Sequence, residues 1–277
     1  MVQIVDGRVA EQVARLNIPF NRYGYDAYGT SRAYLSRWCT LTYWFYANYF
    51  RVTPHRLHLV PDQGRGMLIG NHSGAVAIDG AMVLTSLIME HDPPRMAHGM
   101  VEKFAFRQPF LSDMFSRLGQ LTGVPGNAER ILEDDRLLLV FPEGARGTGK
   151  LYKDRYQMVR FGTGFMRLAL KTQTPILPFA FIGGEEAIPQ VMHIHWLARL
   201  LGTPYIPVTP YLAPLPLPVK CDIYYGEPMY FEGDGLEADD IILGYVDQVK
   251  RRVAELMREG LEARGDELPP QRWEAES

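Results

Sequence analysis

Three short apolar runs constrain the fold of this chain more than any other feature. Gly66-Met67-Leu68-Ile69-Gly70, the stretch 136–141 and the stretch 175–182 carry almost no polar alternation. Such runs suit strands covered on both faces in a parallel sheet. Further strand patterns fall at 95–99 and 220–225, and helical patterns near 80–90, 109–118, 127–134 and 162–172 separate them. The alternation predicts an α/β fold: a single domain with a largely parallel central sheet flanked by helices. From Asp239 to Ala263 the apolar residues Ile241, Ile242, Tyr245, Val246, Val249, Val253, Leu256 and Met257 recur at helical spacing, which gives a last amphipathic helix facing the core. Residues 1–55 are expected to form an N-terminal helical, membrane-interfacial segment, 56–265 the sheet domain, and 266–277 a polar, frayed tail.

At 277 residues and 47% hydrophobic content the chain can build a substantial core. A formal net charge of −3 without any basic run argues against nucleic acid. Cys39 and Cys221 are isolated thiols and make no disulfide framework, so a reducing compartment is the simpler inference. Met1 to Ala14 is mixed and charged, unlike a secretory signal. The expected location is cytoplasmic with peripheral membrane contact. Two stretches carry that expectation. Tyr34 to Phe50 is rich in Trp and Tyr and flanked by arginines, as in an interfacial helix, although a core helix packed on the sheet has the same composition. Ile194 to Val219 is apolar, and its prolines exclude a regular helix; it reads as a flap over the site or against membrane, or equally as a buried crossover.

The chemistry-bearing residues sit at the ends of the apolar runs. His72 follows the first run beside Ser73-Gly74, with Asp79 ahead of it, and a histidine oriented by a carboxylate can take a proton from a hydroxyl. The C-terminal mouth of a parallel strand is where open α/β sheets hold ligands. Alone, the pair fits equally a loop histidine and an acid capping the next helix. The second run ends in Phe141-Pro142-Glu143-Gly144-Ala145-Arg146. There Glu143 can accept hydrogen bonds from a polyol or support a cation, and Arg146 can grip a phosphate or carboxylate, unless the two merely form an exposed ion pair.

The blocks Asn71 to Asp79, Gly123 to Ala128, Phe141 to Arg146 and Thr174 to Ala180 stand in an order that resembles the glycerolipid (lysophospholipid) acyltransferases over about residues 65–230. The resemblance implies transfer of a fatty acyl group from acyl-coenzyme A or acyl carrier protein to a hydroxyl of a lipid acceptor, with no cofactor or metal. It implies His72 and Asp79 as the catalytic dyad, and Asn71, Ser73, Gly74, Asn127, Glu143, Gly144, Arg146 and Lys150 as substrate-binding residues. Backbone N–H groups near Pro142-Glu143-Gly144 would meet the oxyanion. Six residues separate His72 from Asp79, against the family's usual four, and Gly123 lacks the usual arginine a few residues on. Both departures resemble the branch with monoacylglycerol and diacylglycerol acyltransferase-like members.

Two readings from other classes compete. Gly144 to Lys150 has the glycine and lysine spacing of a P-loop, but Leu151 replaces the Mg²⁺-holding Ser or Thr. The other is a catalytically idle lipid-binding relative in which the longer spacing has separated the dyad. His193-x-His195 and His55-x-x-His58 lack Cys or acidic partners at metal-binding spacing and read as structural.

Overall fold

A computed structural model describes residues 5–74, 77–108, 110–212 and 215–275. The chain begins with helices α1 (Gly7–Arg15) and α2 (Arg32–Trp44), the second running on into a π-helical turn at Phe45–Tyr49. Strands β1 (Thr53–His55) and β2 (Gly66–Gly70) lead to α3 (Ile78–Met89) and β3 (Ala97–Val101). Next come α4 (Leu111–Arg117), β4 (Leu121–Thr122), α5 (Pro125–Glu133) and β5 (Leu137–Val140). Helices α6 (Ala145–Thr148) and α7 (Gly164–Lys171) precede β6 (Ile176–Ile182). After α8 (Gly184–Ala187), strands β7 (Met192–His193) and β8 (Pro207–Val208) pair around α9 (His195–Leu201). The fold closes with β9 (Asp222–Tyr225) and α10 (Asp239–Glu262).

Seven strands form the central sheet in the order β1-β9-β6-β2-β5-β3-β4, and every pairing is parallel except β6 with β9. The α/β architecture expected from the apolar runs is therefore present. Strands β1 and β4, of three and two residues, are too short to show a pattern in sequence. The pleat divides the core. Met67 and Ile69 of β2, Leu138 of β5 and Ala180 of β6 face Ile131, Met166, Val249, Val253 and Leu256 of α5, α7 and α10. Leu68, Leu137, Leu139, Phe179 and Phe181 face Met82, Val83 and Leu87 of α3 and Tyr46 and Phe50. Covered on both sides, β2 is apolar throughout and wholly buried.

A proline inside β6 looks out of place, because a central strand normally uses every N–H. Its direction resolves this. Residues two apart point their N–H groups to the same side, and the Ile176 N–H bonds to Met229 O at 2.9 Å. On that side Pro178 faces the turn leaving β9, where its carbonyl accepts from the Gly226 N–H at 2.8 Å. No rung of the β2 pairing depends on the missing donor.

Both stretches with membrane character differ in part from expectation. Leu35, Cys39 and Thr42 of α2 are buried, and Leu35 and Cys39 pack with Val9, Val13, Ile88 and Met89, so α2 has a core face; Leu41 and Trp44 stay 51% and 53% exposed on its other side. In 194–219 the helix α9 forms, contrary to the expectation from the prolines, because His195–Leu201 precedes the first of them and Gly202 stops it at φ 64°. Pro214 of that stretch, Pro109 of the 109–118 pattern, and Ala75 and Val76 between His72 and Asp79 lie outside the described residues.

The tail after Gly265 does not fray as expected over its described part. Gln271 is buried, accepts from the Met158 N–H at 3.0 Å and donates to Tyr156 O at 2.9 Å. Trp273 packs on the core alongside α10. Glutamine is a polar residue that carries no apolar signature, so this anchor is invisible to a hydrophobicity pattern. Gln271→Ala leaves a buried donor and acceptor unpaired and should cost about 1–3 kcal/mol in urea unfolding. A change near zero would show that the tail contributes nothing.

Candidate active site

The parallel register brings the C-terminal ends of β2, β5 and β6 to one edge of the sheet, with Ile69 opposite both Val140 and Pro178. Asn71 is the first residue past β2. Its side-chain amide donates to Phe181 O at 2.9 Å and its oxygen accepts from the Phe181 N–H at 2.8 Å, which extends the β2–β6 ladder by one side-chain rung. Asn71 is wholly buried and thereby fixes the loop rather than meeting substrate, a correction to its expected role.

His72 and Asp79 meet despite the six intervening residues. His72 Nδ1 lies 2.7 Å from Asp79 Oδ2, and the same oxygen accepts the Ser73 N–H at 2.7 Å. Asp79 is fully buried in the first turn of α3, while the His72 side chain keeps 13% of its exposure. With the carboxylate as acceptor, Nδ1 carries the proton and the neutral ring has its lone pair on Nε2. Phe141 stacks on the imidazole at 4.1 Å and 11° between planes, so two contacts at right angles to each other hold the ring. Phe141 was not anticipated; as the last residue before Pro142 it reads in sequence as one more apolar strand residue.

Glu143 is buried, not offered to a polyol as expected. Oε1 accepts the His72 N–H at 2.8 Å and Oε2 the Val159 N–H at 2.8 Å, so the carboxylate clamps the backbone of the histidine loop. Lys150, expected to touch a phosphate, is also buried. Its Nζ stands 3.2 Å from Glu185 Oε1 and 3.6 Å from Glu143 Oε2. Burial opposes its charge, but Glu143 and Glu185 outweigh that and hold its pKa above the ordinary lysine value. Burial also raises the Glu185 carboxyl, with Lys150 opposing it. A lysine committed to two buried acids cannot serve a P-loop. Glu185 escaped sequence reading; the signal available was Gly183-Gly184-Glu185-Glu186 at the end of an apolar strand.

The remaining expected residues divide. Ser73 is buried and its Oγ has no hydrogen-bond partner among the described residues, so it faces the protein interior. Gly74 turns the chain at φ 74°. Asn127 is half-buried in α5 and donates to Thr122 O at 3.1 Å, which ties the first turn of the helix back to the end of β4. Gly144 adopts φ 57° and ψ −153°, a region for glycine alone. Of the N–H groups expected to meet an oxyanion there, that of Gly144 bonds to Phe141 O at 3.0 Å, and the next along the chain, that of Ala145, bonds to Glu102 Oε1 at 3.2 Å. Arg146 is exposed on α6. Gly147 on the same helix is required by space: a Cβ there would lie 2.7 Å from Glu143 Cβ and 2.8 Å from His72 Cβ.

The 194–219 stretch borders this edge. Gln190 donates to Thr148 O and Lys150 O at 2.6 and 3.2 Å, and the Tyr205 hydroxyl bonds to Thr148 Oγ1. At its far end Tyr49 donates to Pro216 O at 2.7 Å, which ties it to the turn after α2. The two stretches of membrane character are thus joined. Trp196, Leu200, Leu212 and Leu215 are 70%, 75%, 82% and 66% exposed. His55 stacks on Tyr224 and bonds Asp222 at 3.0 Å, and His193 stacks on Tyr205, so both histidine pairs have structural partners; no cluster of metal-ligating side chains occurs among the described residues. No described helix is long and apolar enough to cross a membrane.

Uncharacterized proteins of Mycobacterium leprae and Mycobacterium tuberculosis are each 34% identical over 224 residues, 77% of this chain, which spans 61% and 62% of their lengths. The chain thus spans about three fifths of the length of these curated relatives. The crystal structure of the 1-acyl-sn-glycerophosphate (LPA) acyltransferase PlsC from Thermotoga maritima shares the fold, with a TM-score of 0.53 at 18% identity over 82% of this chain and 79% of that one. Residues 51–182, which run from the start of β1 to the end of β6 and hold His72, Asp79, Glu143 and Lys150, match the acyltransferase family model.

Proposed function

We propose that the chain transfers a fatty acyl group from a thioester, carried by coenzyme A or acyl carrier protein, to a hydroxyl of a glycerolipid or similar amphiphile. The observation that carries this reading is the 2.7 Å contact of His72 Nδ1 with buried Asp79 at the strand-end edge of a domain that matches the acyltransferase family model. His72 Nε2 takes the acceptor's proton as its oxygen attacks the thioester carbonyl. The tetrahedral intermediate then collapses, the carbon–sulfur bond breaks, and the imidazolium returns the proton to the leaving thiolate. Asp79 holds the tautomer and offsets the imidazolium charge. The closed dyad favours this over an idle relative. Exposed Arg146 on α6 supports an anionic headgroup on the acceptor. The apolar surface from Trp44 to Leu215, joined through Tyr49 and Pro216, supports docking on a bilayer from which a lipid acceptor is drawn.

His72→Ala should lower thiol release from palmitoyl-coenzyme A in the presence of acceptor by roughly 10²–10⁴-fold while the protein stays folded. Retained activity would falsify the assignment. Arg146→Ala should raise KM for lysophosphatidate more than for monoacylglycerol; equal changes would remove the headgroup role. Replacing Trp196 and Leu200 by serine should reduce sedimentation with phospholipid vesicles without lowering the melting temperature, because both side chains are exposed. Vesicle binding that survives the pair would put the membrane contact elsewhere.

A further inference from the structure

The proposed chemistry uses His72 and Asp79, yet three further charges enclosed at the site, those of Lys150, Glu143 and Glu185, take no part in it. Their side chains are 4%, 0% and 3% exposed. An ion cluster taken out of water in this way adds little to stability compared with an apolar core, so its presence calls for a role other than stability. Its position supplies one. Glu143 follows β5, Glu185 follows β6, and His72 follows β2, so the Lys150 ammonium bridges two strand ends and reaches the third through Glu143. Around Glu143 the packing is tight. Glu143 Oε1 holds the His72 N–H at 2.8 Å, and Gly147 brings α6 so close that a single Cβ would strike both Glu143 and His72. Beyond Glu185, Tyr156 joins the same network, its N–H reaching Glu185 Oε1 at 3.4 Å and its hydroxyl Glu186 Oε1 at 2.6 Å.

We propose that Lys150 is a positioning residue: its buried ammonium fixes the Glu143 carboxylate beneath the His72 main chain and so sets the placement of the imidazole against Asp79. Lys150 acts only through Glu143 and touches no substrate. The catalytic part of this statement rests on the acyl-transfer reading above, whereas the placement of the ring does not. Neutral residues at Lys150 and Glu185 together leave the net charge of the cluster as it is in wild type but leave Glu143 without its cation. A residue that serves only to neutralise Glu185 would become dispensable in that background.

The test compares wild type, Lys150→Met and Lys150→Met/Glu185→Gln, with His72→Ala as reference. Three quantities are read: the melting temperature, the downfield proton NMR resonance of the His72 Nδ1–H identified by its absence in His72→Ala, and kcat and KM for acyl transfer from palmitoyl-coenzyme A. The resonance is read at a temperature where each variant is folded. The double variant should recover most of the melting temperature lost by Lys150→Met. Its Nδ1–H resonance should still be shifted or broadened, and its kcat should be roughly ten- to a hundredfold below wild type with little change in KM, as expected for a displaced base. A double variant with the wild-type resonance and kcat overturns the proposal and leaves Lys150 a charge partner of Glu185 alone. If wild type shows no His72-dependent transfer, the acyl-transfer reading fails, and the resonance still decides whether Lys150 places the ring.

Discussion

Burial of β2 on both faces is the constraint on which the rest of the structure depends. A strand with helices above and below must find both neighbours within the sheet, and the parallel register of β2 with β5 and β6 delivers three strand ends to one edge. Those ends carry His72, Glu143 and Glu185. The chemistry of the site is therefore a by-product of how a fully apolar strand satisfies its backbone, and the 2.7 Å contact between His72 and Asp79 needs only the start of α3 to be placed behind it.

Much of this was legible in the sequence. Uninterrupted apolar runs marked β2, β5 and β6, and periodicity marked α3, α5, α7 and α10, because each of these elements buries enough side chains to leave a pattern. The contact of His72 with Asp79 was legible only as two residue types, one just past β2 and the other at the start of the next helix. What was not legible was which polar groups turn inward. Asn71, Glu143 and Lys150 have the composition of ligand-binding residues, yet each is consumed by the protein: Asn71 by a ladder rung to Phe181, Glu143 by two backbone N–H groups, Lys150 by two acids. Sequence lists donors and acceptors but not their partners, and a buried polar residue differs from an exposed one only in those partners. Gln271 repeats the lesson at the far end of the chain.

The spacing between His72 and Asp79 shows the converse. Six residues instead of four left open a separated pair, but loop length does not fix the distance between loop ends when those ends are anchored independently. Here Asn71 pins one end to β6 and α3 pins the other, and the ring and carboxylate meet regardless of the residues between them.

The ties of the 190–218 stretch have a mechanical consequence. Gln190 and Tyr205 both fasten to Thr148, which lies in α6, the helix whose Gly147 backs directly onto His72 and Glu143. At the other end Tyr49 and Arg51 hold Pro216 and Pro218. Gln190 and Tyr205 lie on either side of α9 in the chain, so lifting α9 from the domain would strain contacts to the very helix that backs onto the imidazole.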